Sequence, residues 1–308
     1  MKITEPGIYT MRSEIYHADP VPEMSLSSTG ARTLAKGTPA AYWHDRHNPK
    51  HKRVFDIGTA GHLMVLEPHL FEQKVEIIRG VTAKGEPKED YTTADAKAKR
   101  DAAYAAGKTP LLPAEAEMVA EMRAVLLADP VAGAAFRGGA AEQSMFWRDA
   151  EFGAWRRTRP DYLPPHRRYL VDYKTSVSAD PREFGKRMLD YGYHQQAAWY
   201  LDGVHAVTGE MPERFAFVVQ EKTPPYLVTV CWVDQEAIEI GRELNRFAVG
   251  IFAHCLRTGE WPGYRDAPGA PPRGFSVTLP GWAVAEHQQR SEAGAFQPPR
   301  VETQAEAA

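Results

Sequence analysis

Near residue 144 the apolar pattern of this chain changes period, and that change constrains the fold more than any other feature. Ser144-Met145-Phe146-Trp147 leads through a turn at 150–153 into Ala154 to Tyr162, which alternates with Trp155, Arg157, Arg159 and Asp161 on one side. This predicts a β-hairpin. After Pro164-Pro165, Arg168 to Lys174 predicts a third strand. Helices follow near 181–190 and 193–208, strands at 214–220 and 226–233, and a long helix near 235–257. Helices, a strand meander, then helix, strands and helix make an α/β (α+β) layered domain with a mixed central β-sheet flanked by helices.

The upstream part is helical by the same criteria. Residues 1–24 read as an irregular arm, and Ser25 or Ser27 caps a helix that follows. Residues 44–53 (HDRHNPKHKR) form a basic loop, either a solvated surface or a contact to a nucleic-acid backbone. Phe55 to Glu67 predicts a short buried helix stopped by Pro68, with His62 at its middle. Residues 80–110 combine a mobile loop with a surface helix near 92–105, and Pro113 starts a helix running to about Ala128. We expect one domain over 1–284, with an N-terminal helical part (about 1–130) and a catalytic core (about 140–260). Residues 285–308 are expected to form a disordered tail.

Charge and cysteine content narrow the function classes. A net charge of −3 excludes a general electrostatic grip on nucleic acid, so any such binding needs a local basic surface. Two cysteines, Cys231 and Cys255, cannot hold a four-cysteine zinc or iron–sulfur site and are expected to be reduced core thiols. A polar N-terminus and the absence of a membrane-length apolar run point to a soluble cytoplasmic protein.

The chemistry is carried by Arg159-Pro160-Asp161 and Val171-Asp172-Tyr173-Lys174-Thr175. Asp172 and Lys174 are two apart on a strand and share a face. A short connection to the preceding strand brings Asp161 to Asp172. Two close carboxylates imply a cation. Mg²⁺, or Mn²⁺, suits such oxygen-rich sites and activates water, while a lysine offsets charge on a scissile phosphate. D-x-K alone is commonly a surface ion pair. Three further features favour a site over that reading. His62 sits among small residues in Gly58-Thr59-Ala60-Gly61-His62 and can offer a metal ligand, or be a core histidine. Gln196 and Tyr200 share one helix face, as a polar clamp or an ordinary amphipathic surface. Arg157 and Arg159 accompany Asp161, for phosphate binding or as an exposed charged face.

Together these residues resemble the PD-(D/E)xK nucleases, in particular the RecE-type (exonuclease VIII) nuclease domains of the RecB-like branch. The resemblance spans most of residues 7–282, through GIYTMRSEIYHADP, FDIGTAGHLMVLEP, RTRPDYL, LVDYKTS, YGYHQQAAWYLDG and LPGWA. It implies a restriction-endonuclease-like core. It implies that His62, Asp161, Asp172 and the Tyr173 backbone carbonyl hold the metal, with Lys174 catalytic. Gln196 and Tyr200 would form the Q-x-x-x-Y motif, with Gln195 as a register alternative, and Glu142 would stand where relatives carry an extra acid. It implies no iron–sulfur cluster. Its expected activity is 5′ to 3′ digestion of linear double-stranded DNA, leaving 3′ single strands for recombination or repair. The expected assembly is a homo-oligomer, a ring tetramer, serving a single-strand annealing protein. Alternatives are a defence or endonucleolytic role on the same fold, or a non-catalytic DNA-binding protein.

Overall fold

The computed structural model describes residues 2–48, 53, 56–264 and 274–297. The chain divides into two units, residues 1–264 and residues 265–308.

The strands of the larger unit that form its two main sheets are β1 (Gly7–Tyr9), β2 (Ser25–Ser27), β3 (Ala140–Ala141), β4 (Ser144–Arg148), β5 (Trp155–Thr158), β6 (Tyr162–Leu163), β7 (Tyr169–Ser176), β8 (Arg214–Glu221) and β9 (Val228–Trp232). The first sheet runs β1-β4-β5-β2 and the second β9-β8-β7-β6-β3. β7 and β8 pair in parallel, Asp172 opposite Phe217 and Lys174 opposite Val219, while β6 and β9 flank them antiparallel. The mixed sheet and its helices are the α/β architecture expected from the order of elements. Central parallel strands are covered on both faces. The β7–β8 pair is accordingly apolar at Tyr169, Leu170 and Val171 and from Phe215 to Val219, and turns polar toward the C-terminal ends of both strands, where Asp172, Lys174, Thr175, Ser176, Gln220 and Glu221 stand.

The principal helices are α1 (Ser28–Lys36), α2 (Pro39–His47), α3 (Asp56–Leu66), α4 (Pro113–Ala128), α5 (Pro181–Tyr191), α6 (Tyr193–Thr208) and α7 (Gln235–Thr258). Their ends are locally encoded. Ser27 Oγ accepts the Gly30 N–H at 3.2 Å, and Asp234 Oδ1 accepts that of Ala237 at 2.7 Å. Ala197, Ala198 and Leu201 of α6 pack on Phe215 and Phe217 of β8 in one core, whereas Leu126 of α4 joins Tyr162, Val171 and Tyr173 in another. α7 lies on α6 at Gly241, where an added Cβ would stand 2.5 Å from the His194 carbonyl oxygen, so only glycine allows that approach.

Several expectations are corrected. The strand expected over 154–162 breaks after Thr158 and resumes at Tyr162, in the other sheet. Pro160, lacking an N–H, cannot continue a ladder, and the chain uses Arg159-Pro160-Asp161 to cross between sheets. The arm expected over 1–24 contains β1, paired antiparallel to β4, and a helix at Ser13–His17. Of the basic loop 44–53, residues 44–47 belong to α2, residues 49–52 lie outside the described residues, and Arg53 pairs with Glu115 at 2.8 Å. The tail expected to be disordered from 285 carries part of a helix, Gly281–Glu292, in the smaller unit. Residues 298–308 lie outside the described residues. Both cysteines are free thiols. Among the described residues no helix is long and apolar enough to cross a membrane.

Candidate active site

β7 is the base of the site. Its Asp172 is fully buried and forms an ion pair with Lys174, two residues along the same face. α6 crosses that face and Gln196 Nε2 donates to Asp172 Oδ1 at 2.6 Å. Of the two adjacent glutamines it is Gln196 that reaches the carboxylate; Gln195 gives its backbone carbonyl to Asn245 of α7 at 3.0 Å. Asp161 arrives through the crossing between sheets. Tyr162 pairs with Val171, so one step along the antiparallel register brings Asp161 opposite Asp172. Asp161 Oδ2 accepts the Tyr173 N–H at 2.8 Å, and its backbone oxygen accepts the Glu142 N–H at 3.0 Å. Glu142 holds a left-handed φ of 54°, which a non-glycine residue adopts at a cost and which clusters at functional sites. Its carboxylate accepts from Arg159, whose other donors reach Ser144 Oγ at 2.9 Å and the Met11 carbonyl at 3.0 Å.

His62 comes from α3. Gly58 and Gly61 bring this helix against β7: an added Cβ at either would sit 3.4–3.5 Å from the Thr175 side chain, already in contact. The imidazole lies over Tyr173 at 5.1 Å between ring centroids, and Nδ1 is 3.3 Å from Asp161 Oδ2. Ligand atoms of His62, Glu142 and Asp161 all fall within 4.8 Å of one another.

The electrostatics fit a divalent cation. Burial pushes the Asp161 carboxyl well above the usual carboxylate range, and the Asp172 charge adds to this. Burial raises Asp172 as well, more than the adjacent Lys174 lowers it. Glu142 is raised by burial against the pull of Arg159. Burial, with the Lys174 charge, pushes His62 down to about 3, so the imidazole is neutral and keeps a lone pair for a ligand. Burial lowers Lys174, but Asp172 and Asp161 outweigh it and its pKa is raised, leaving the ammonium charged. Carboxyls that resist ionisation beside a neutral imidazole form a donor set that a hard cation completes. His62, Glu142 and Asp161 would hold it. Asp172, expected as a ligand, accepts from Gln196 at Oδ1 and pairs with Lys174 at Oδ2, and the strand register sets it opposite Asp161.

A model of the PDDEXK-like domain of unknown function (DUF3799) matches residues 25–267. The chain belongs to this PDDEXK-like family. The fold is similar to the crystal structure of a protein from Eubacterium rectale, provisionally named an exonuclease. The TM-score is 0.60 at 15% identity, over 90% of this chain and 98% of that one. No curated protein matches the sequence.

Other expected residues of this PDDEXK-like chain are placed as follows. Tyr173 contributes its backbone at the site, while its hydroxyl donates to Gln220 at 2.6 Å on the opposite face of β7. Tyr200 packs against Phe215, near enough to Asp172 and Asp161 that burial and their charges raise its phenol well above the ordinary value. Arg157 stands apart. It is buried, paired with Asp19 at 2.6 Å and Ser25 Oγ at 2.8 Å, because the break before Pro160 leaves it in the first sheet. The site opens into a cleft of about 1150 Å³. Arg12, Lys74, Arg187 and Lys222 line it with Arg159 and Lys174, opposed by Glu14 and Glu67. The first four were missed in the sequence, where they carry no spacing signal. They converge only because the Ser13–His17 segment, the Phe71–Lys74 turn, α5 and the end of β8 meet around β7.

Proposed function

We propose that the protein is a metal-dependent DNA nuclease acting at this cleft. The observation that carries the reading is a cleft whose lining includes His62, Glu142 and Lys174 among basic side chains, with the buried Asp161 within 4.8 Å of His62 and Glu142 and the buried Asp172 paired to Lys174. A divalent cation, when bound, supplies a Lewis acid that polarises a phosphate oxygen and acidifies a water. His62, Glu142 and Asp161 would hold the cation. Gln196 fixes Asp172, and Asp172 fixes Lys174. Because Lys174 keeps its proton, it serves as a charged donor to the attacking water or to the phosphoryl oxygens, where charge develops, rather than as the base. Arg187 and Lys222 line the wall along which a phosphodiester backbone runs.

The finer reading is a RecE-type exonuclease that digests one strand of linear duplex DNA from its 5′ end, with Mg²⁺ or Mn²⁺. The product would be a 3′ single strand for an annealing protein in recombination or repair, and the active form a homo-oligomeric ring. It is supported by the ordered set of motifs shared with that branch and by the exonuclease name of the structural neighbour. The test is digestion of linear duplex labelled at the 5′ or the 3′ end, with Mg²⁺ and with EDTA, alongside Lys174→Ala. Mg²⁺-dependent release of the 5′ label as mononucleotide, lost in the variant, supports the reading. Equal cleavage of closed circles would move it to an endonuclease, and intact DNA to a non-catalytic binder.

A further inference from the structure

We infer that Tyr191 is the docking face for an unpaired nucleobase on the DNA strand whose phosphate lies beside Lys174; this rests on the nuclease reading above. Three rings form a ladder from the core to the surface. Phe184 stacks on Tyr193 at 6.1 Å and 23°, and Tyr193 on Tyr191 at 5.4 Å and 25°. Phe184 is buried, whereas Tyr191 is 61% exposed. The ladder therefore ends on an aromatic face turned to solvent at the wall of the cleft. Lys174 Nζ lies 5.4 Å from the Tyr193 ring centroid, so it is no more than twice that distance from Tyr191.

The platform is held rigid. Gly192, at φ 66°, joins α5 directly to α6 and sets rings 191 and 193 side by side. Arg32 of α1 donates to the Tyr191 carbonyl at 2.9 Å, and Lys36 to the carbonyls of Leu189 and Asp190 at 3.1 and 2.6 Å. The cleft also exposes Val177. An anchored, exposed aromatic beside Arg187, Lys222 and Lys174 matches an anion that carries a flat apolar ring. A nucleotide has that chemistry, and base–aromatic stacking is how single strands are gripped irrespective of sequence. Bases inside a duplex have both faces covered, so the occupant is a base at a frayed or single-stranded end.

The experiment places 2-aminopurine, whose fluorescence falls on stacking, at the terminal or an internal position of a short duplex. Binding is followed with Ca²⁺ in place of Mg²⁺. We expect quenching at the terminal position with wild type and with Tyr191→Phe, and none with Tyr191→Ala, which binds about tenfold more weakly. In Mg²⁺ digestion, KM for blunt ends should rise more in Tyr191→Ala than KM for ends that are already frayed. Tyr191 is exposed, so a thermal melt of Tyr191→Ala should match wild type. Unchanged quenching in Tyr191→Ala, with wild type digesting linear DNA, overturns the stacking role and leaves the nuclease reading intact. A wild-type chain that neither binds nor digests DNA overturns both.

Discussion

Single side chains at the candidate centre hold opposed preferences. Asp161, Asp172 and Glu142 bind protons more tightly in the folded chain than in the unfolded one. Such groups stabilise the metal-free fold at low pH, and that contribution fades as pH climbs from the usual carboxylate range through their raised folded values. A cation binds the ionised form and reverses the trend. The gain in Tm on adding Mg²⁺ or Mn²⁺ should therefore be small near about pH 4–5 and increase as the pH rises. Calorimetry across pH checks this, and a gain that is flat or shrinks would rule out carboxylate ligation. Lys174→Ala removes the donor at the phosphate and should lower cleavage by roughly 10²–10³-fold, measured as single-turnover rate. Gln196→Ala strips Asp172 Oδ1 of its 2.6 Å donor and should cost about 1–3 kcal/mol in denaturant unfolding.

Elements place these groups by close approach and by interruption. Gly241→Ala drives a methyl into the His194 carbonyl where α7 meets α6, and should destabilise the fold by roughly 1–3 kcal/mol. Gly185, in α5, has open space around it, so Gly185→Ala should instead stabilise by about 0.5–1 kcal/mol. A shared denaturation series decides between these signs. The elements themselves were legible in the chain wherever local rules decide: α5 after Asp180 and α7 after Asp234 both have capping residues, and β8 carries the apolar run Phe215 to Val219. The break between β5 and β6 was less so. Alternation continues through Arg159 to Asp161, and Pro160 alone marks the change of sheet, which moves Arg157 to Asp19 and leaves Arg159 at the site. Pairings such as Arg157 with Asp19 depend on tertiary meeting of distant segments and leave no local trace.

Across the whole molecule, a net charge of −3 coexists with a cleft lined by six basic side chains. DNA affinity should then fall with salt only as steeply as the few phosphates inside the cleft require, about 0.9 in log–log slope for each. Replacing Arg187 or Lys222 by Ala should make that slope shallower by about 1, as titrations from low to moderate salt will show. The candidate centre also has a schedule. His62 lies on α3, Asp161 on the crossing between sheets, Lys174 on β7 and Gln196 on α6, so more than a hundred residues separate the first from the last. A chain leaving the ribosome emits the histidine early and the glutamine late, and α7, which packs against α6, later still. A nascent chain that has not yet emitted Gln196 lacks part of the set, so the proposed centre can assemble only after most of the chain has been made.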